Sequence, residues 1–79
     1  MENRYFLALD DNFTWLIKDT NGNRYTAGDK KERVIELIHR LNEAHRPNIE
    51  QRDNYTIAVC WNKHHKSEPC EWDIYTFND

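Results

Sequence analysis

The sequence predicts an α+β fold in a single small domain, with the element order βββαββ and one amphipathic helix packed on one face of an antiparallel sheet. Two patterns carry this prediction. Apolar residues alternate with polar or small ones in short segments on both sides of residues 30–45, whereas within that range they recur at three- and four-residue steps. The length agrees, since 79 residues bury only a small core, about 60–65% of the unfolded surface.

The first two strands are predicted at about residues 4–10 and 13–19. Residues 10–12 form a short connection, and the register that matches apolar with apolar sets Leu9 opposite Phe13. One face of this hairpin is then large and apolar throughout, formed by Tyr5, Leu7, Leu9, Phe13, Trp15 and Ile17.

A tight turn and a third strand follow. The pair Asn21-Gly22 favours a type I′ turn, which needs positive φ at both central residues, and the third strand is predicted at about residues 24–27. Asp29 is a good helix N-cap, and Glu32 completes a capping box.

The helix is predicted at about residues 30–45, with an apolar stripe formed by Val34, Leu37, Ile38, Leu41 and Ala44. Residues 46–54 are mostly polar and are predicted to be a connection, in which Pro47 prevents the helix from continuing. Two more strands are predicted at about residues 55–62 and 70–77.

The register of the last hairpin decides the state of the two cysteines. Matching the large apolar side chains pairs Val59 with Trp72 and sends Cys60 and Cys70 to opposite faces. A slip that paired the thiols would bury carboxylates at a cost of several kcal/mol, more than the roughly 2–4 kcal/mol that a disulfide contributes. We therefore expect no disulfide.

The spacing of Cys60, His64, His65 and Cys70 is a poor match to a zinc site, because adjacent histidines rarely share a metal and the ligand pairs are atypical. A nucleophilic cysteine would need an oriented base, and no third group is placed to orient one. We expect no metal, no cofactor and no enzymatic activity. A zinc-dependent or thiol-based regulator or enzyme centred on these four residues remains the alternative.

The net charge is −3, with the two signs interleaved, so no contiguous basic surface attracts a nucleic acid. Weak nucleic-acid binding is kept as a second alternative, on the group Arg24, Tyr25, Lys30, Lys31 and Arg33. No apolar window reaches the ~18 residues of a membrane span, and the first residues lack the order of a signal peptide. We expect a cytoplasmic protein with reduced cysteines.

One helix covers only one face of a sheet, so the other face is expected to be open. The predicted registers place five large side chains on it: Phe6, Leu16, Tyr25, Tyr75 and Phe77. An exposed patch of this composition is typical of a surface that binds another protein or a second copy in a homodimer. Edge strands offer a second route, by adding a partner's strand. Residues 46–54 folding over the face is the competing explanation.

The predicted function is therefore a small non-enzymatic protein-binding module. Minimal length and the lack of catalytic groups suit a stoichiometric inhibitor or adaptor, of the kind that phages and mobile elements direct at host defence or transcription complexes. No small-molecule substrate is inferred, and no family motif is recognised.

Overall fold

The structure is a computed structural model that describes residues 4–44, 47–61 and 71–77. It confirms the α+β class. The elements are β1 (Tyr5–Leu9), β2 (Trp15–Asp19), β3 (Arg24–Gly28), α1 (Lys31–Glu43), β4 (Asn48–Asp53), β5 (Thr56–Cys60) and β6 (Trp72–Thr76). They form two three-stranded antiparallel sheets, ordered β1-β2-β3 and β4-β5-β6, which we call the first and the second sheet.

The predicted elements occur in the predicted order, and β4 is added to them. It lies within residues 46–54, which were predicted to be a connection. Ile49 is the one apolar residue of β4, and the other side chains of the strand are exposed. Its sequence therefore lacks the alternation that would predict a strand. Backbone pairing supplies the strand instead, with Ile49 opposite Val59 and Glu50 opposite Ala58. The extra strand completes the second sheet.

The β1–β2 hairpin keeps the predicted faces but not the predicted partners. Leu9 lies opposite Trp15, two residues further along than the expected Phe13. The cause is a longer loop in which Asp10 Oδ1 accepts hydrogen bonds from the N–H groups of Asn12 and Thr14, both at 2.9 Å. Phe13 takes a positive φ of 59° in this loop.

The β2–β3 loop repeats this design. Asp19 Oδ1 accepts from the N–H groups of Asn21 and Asn23 at 2.9 Å, and only Gly22 has positive φ, at 92°. The predicted type I′ turn is therefore wrong, since it needs positive φ at Asn21 as well. The loop is one residue longer, so Tyr25 lies opposite Ile17 and β3 presents the opposite face to the one expected.

The helix buries the predicted stripe, with Val34, Leu37, Ile38 and Leu41 all in the core. The N-terminal cap of the helix differs from the prediction. Lys30 is the N-cap residue, and no side chain makes a capping hydrogen bond. The Asp29–Glu32 capping box is thus absent. The predicted last helical residue, at position 45, lies outside the described residues.

The core lies between α1 and both sheets, and combines the helix stripe with residues of five strands or their ends: Tyr5, Ile17, Ala27, Ile57, Val59 and Phe77. The two sheets meet closely at Gly28, whose φ is 148°. A Cβ added there would lie 3.0 Å from the carbonyl oxygen of Phe77 and 3.2 Å from its Cβ. This approach requires glycine.

The β5–β6 hairpin differs from the prediction by one residue. Val59 lies opposite Asp73, not Trp72, and Ile57 lies opposite Tyr75. The shift turns Tyr75 toward the core and leaves Ile74 56% exposed. Asp73 is not buried by it, because it stays exposed and accepts a 2.6 Å hydrogen bond from Trp61 Nε1. The desolvation cost on which the predicted register rested does not arise.

Cys60 is buried and disulfide-bonded, so the expectation of two reduced thiols is wrong. Cys70 is the only other cysteine of the chain and lies outside the described residues. The prediction failed because it rested on a register that put the two thiols on opposite faces, and the observed register is shifted by one residue.

Candidate binding site along the free edge of β6

The five residues predicted to bind a partner do not form one open face. Phe6 is 45% exposed, but Leu16 is 2% exposed and Phe77 is 1% exposed within the core. Tyr25 and Tyr75 are half-buried and pack against the same core. The one-residue shifts at β3 and β6 explain three of these, because each shift turns a strand's predicted outer side chains inward.

Each edge of the first sheet is capped at one residue by a side-chain amide. At β1, the Tyr5 N–H donates to Asn42 Oδ1 at 2.8 Å, and Asn42 Nδ2 donates to the Tyr5 carbonyl at 3.0 Å. At β3, Gln51 makes the same pair of bonds to Thr26, at 2.6 and 2.9 Å. Each amide occupies the backbone groups that an added strand would use, so neither edge is free at that point.

The β4 edge is protected differently. Its ladder is interrupted by a register shift between Gln51 and Asp53, and its exposed side chains include the ion pair of Arg52 and Glu50, at 3.6 Å. Bulges and charges are both common means of preventing edge-to-edge pairing.

The β6 edge has none of these protections among the described residues. The Phe77 N–H donates to the Tyr55 carbonyl at 2.9 Å, which fixes the odd-numbered residues of β6 as those bonded to β5. The N–H and C=O groups of Trp72, Ile74 and Thr76 therefore point outward. No described side chain bonds to them.

A groove of about 300 Å³ runs between this edge and α1. Its lining combines two arginines and one glutamate of the helix with neighbouring residues of the strand: Arg33, Glu36, Arg40, Ile74, Tyr75 and Thr76. The groove thus places charge beside an unpaired backbone edge.

Arg40 is fixed in place by aromatic rings. Its guanidinium carbon lies 4.8 Å from the Trp61 ring centroid and 5.8 Å from that of Tyr75, and Nη1 donates to the Tyr75 hydroxyl. The two rings meet edge to face at 6.5 Å, and the Trp61 indole is held by Asp73. A guanidinium carries five N–H donors, so most of those of Arg40 remain available to a ligand.

Two carboxylates with shifted pKa values lie beside turns. Burial, the largest single influence, raises the pKa of Asp19, but hydrogen bonds from Asn23 and Asn21 together with the charge of Arg4 hold it below its ordinary value. The pKa of Asp53 is lowered chiefly by the Tyr55 N–H. These carboxylates are explained by the turns that they stabilise.

Burial raises the pKa of Tyr25, with further contributions from the charges of Asp19 and Tyr5. This shift agrees with its position on the core face of β3. It gives no sign of a catalytic group.

The disulfide removes Cys60 from the alternative thiol or zinc site predicted from the sequence. Because the sulfur of Cys60 is in a disulfide, it cannot act as a thiolate ligand or nucleophile. His64, His65 and Cys70 lie outside the described residues. Within residues 4–44, 47–61 and 71–77, no group of three or more His, Cys, Asp or Glu side chains could hold a metal ion.

The nucleic-acid alternative gains no support from the geometry. Lys31 lies over the Trp15 ring at 5.1 Å. A shallow depression at the start of α1 combines the basic residues with two acidic ones, so its charge is nearly balanced: Asp29, Lys30, Lys31, Glu32 and Arg33. Such a surface releases few counterions.

No protein-family model, no curated protein and no solved structure matches this chain. Within the described part of the chain, no helix has the length and apolar character that crossing a membrane requires.

Sequence reasoning missed the importance of β6 because both faces of this strand carry large side chains. The alternation that predicted Trp72 and Ile74 as core residues fits Tyr75 and Phe77 equally well. A usable signal was present in the helix, where Arg33 and Arg40 are seven residues apart and so lie on one side of it.

Proposed function

We propose that this protein is a small non-enzymatic protein-binding module that adds an extended segment of its partner to the free edge of β6. The observation that carries the proposal is the row of outward backbone groups at Trp72, Ile74 and Thr76, beside a groove. Of the other three edges, those of β1 and β3 are each capped at one residue by an amide, and that of β4 is interrupted by a bulge and charges. The second of the two predicted routes, strand addition, is thus better supported than an open aromatic face.

Strand addition assigns separate tasks to the backbone and the side chains. Main-chain hydrogen bonds supply affinity, and alternate side chains of the added strand supply specificity by entering pockets on either face. The exposed Ile74 offers an apolar contact beside the edge, and the groove receives side chains against α1.

A stoichiometric inhibitor or adaptor fits such a module, because binding a strand requires no chemistry. The compartment is a separate question. Disulfides persist in oxidising environments, so the bond at Cys60 argues against the predicted cytoplasmic location. The proposed action on a host defence or transcription complex loses support with it, whereas strand addition does not depend on the compartment.

Proline substitution tests the proposal. Ile74→Pro removes an outward N–H and places a ring on the free edge without removing a bond to β5. Arg24→Pro is the matched control, because Arg24 also points its N–H away from its sheet neighbour. Both variants should keep the wild-type circular dichroism spectrum.

The proposal expects a partner isolated with the wild-type protein to bind Arg24→Pro normally and to lose Ile74→Pro. On binding, the amides of Trp72, Ile74 and Thr76 should become protected from hydrogen exchange. A partner that binds folded Ile74→Pro with unchanged affinity would overturn the proposal. Sedimentation at several concentrations tells whether the partner is a second copy.

A further inference from the structure

We propose, resting on the function above, that the segment received by β6 is acidic: an extended peptide with an aspartate or glutamate side chain that binds the guanidinium of Arg40. Arg33 supplies a second positive charge on the same groove.

The charge of the groove opposes that of the whole chain. Arg33 and Arg40 outweigh Glu36 in the lining, although the net charge of the protein is −3. Neither arginine has a carboxylate partner among the described residues. The seven-residue step from one to the other corresponds to about 10 Å along the helix, so the positive charge extends beside several residues of an added strand.

In the free protein, Arg40 is already preorganised to bind a carboxylate. The rings of Trp61 and Tyr75 and the Tyr75 hydroxyl fix the guanidinium, so binding orders no further side chain at this point. A planar guanidinium held against aromatic rings presents its in-plane N–H groups in the fork that a carboxylate accepts.

A second copy of this chain is a poorer occupant of the edge. Antiparallel pairing of β6 with its equivalent places both helices on the same side of the joined sheet. The two grooves would then face each other, and each copy brings two guanidinium groups against one carboxylate. Like charges across such a seam disfavour it. An acidic peptide turns the same charges into attraction.

Synthetic peptides test the inference directly. The probes are labelled seven-residue Thr/Val host peptides with one aspartate at each position in turn, and matched series carry asparagine or lysine instead. Fluorescence anisotropy measures their dissociation constants for the wild-type protein. We expect the best aspartate peptide to bind about tenfold more tightly than its asparagine counterpart.

Two arginine variants locate the contact. Arg40→Gln should remove the preference for aspartate and leave the asparagine peptide within about twofold. Arg52→Gln is the matched control, because Arg52 also stacks on an indole, that of Trp72 at 5.4 Å, and does not line the groove. It should keep the preference. Arg40→Glu should favour the lysine peptide.

The outcomes separate the inference from the function on which it rests. Equal binding of all three series, abolished by Ile74→Pro, overturns the acidic preference and leaves strand addition standing. An aspartate preference that survives Arg40→Gln also overturns the inference. Failure of every peptide to bind the wild-type protein counts against strand addition itself.

Discussion

Replacing Gly28 with alanine should strongly destabilise the protein, because two separate costs meet at this residue. A φ of 148° is essentially restricted to glycine, and forcing an L-residue into such a region costs about 1–3 kcal/mol. The new Cβ would also lie 3.0 Å from the Phe77 carbonyl oxygen, and such overpacking costs roughly 1–3 kcal/mol more. Alanine also restricts the unfolded chain more than glycine does, which offsets about 0.4–1 kcal/mol of this destabilisation.

Gly22→Ala is the matched control. Its φ is 92°, so it carries the backbone strain, but nothing lies within 4 Å of the added Cβ. Adding these contributions, we expect the free energy of unfolding to fall by about 1 kcal/mol in Gly22→Ala and by about 3 kcal/mol in Gly28→Ala. The difference isolates the close contact between the sheets.

Urea unfolding, followed by tryptophan fluorescence and far-ultraviolet circular dichroism, measures both free energies. For a domain of this size, about 3 kcal/mol corresponds to a fall in Tm of roughly 10–25 °C. Equal or greater stability of Gly28→Ala relative to Gly22→Ala would be the contrary result. That result would mean that Phe77 does not approach the backbone of β3.

The β6 register, the Asp19 loop and the disulfide each predict a further outcome. In the free protein the Ile74 amide should exchange with deuterium much faster than the Tyr75 amide, since only the latter bonds to β5; NMR rates in the reverse order would mean the register is wrong. The lowered pKa of Asp19 makes its stabilising contribution complete above its ordinary value of 3.8 and lost as the pH falls through the folded-state pKa. Asp19→Asn should therefore lose less stability than wild type on acidification below about pH 4, and parallel Tm curves would contradict this. Reducing the disulfide of Cys60 should lower the free energy of unfolding by about 3 kcal/mol; an unchanged urea midpoint with reductant would be the opposing result.

The helix and five of the six strands could be predicted from the sequence, because they depend on periodicity along the chain. The stripe of Val34, Leu37, Ile38 and Leu41 has one helical face to occupy, so its burial follows directly. Strand registers depend instead on the turn between two strands. An extra residue in the loop after Asp19 was enough to move Tyr25 from the predicted outer face to the core.

The candidate site was less predictable than the fold, because it is defined by which backbone groups remain unpaired. That property depends on register, on β4 and on distant amides such as Asn42, which bonds to a residue 37 positions away. Polar β4 shows no alternation, and nothing local marks the amide of Gln51 as a partner for Thr26. The arginines of α1 were visible in the sequence, but the strand beside them was not.

Gln51 belongs to β4, yet its amide also satisfies the backbone of β3, and Nε2 reaches the Thr56 carbonyl at 3.3 Å. The Gln51 side chain thus has two roles. It links the two sheets, and it caps an edge at which another chain could pair. A single replacement by an aliphatic residue would loosen the assembly and at the same time expose a template for intermolecular β-pairing. Solubility and folding therefore both depend on this one side chain.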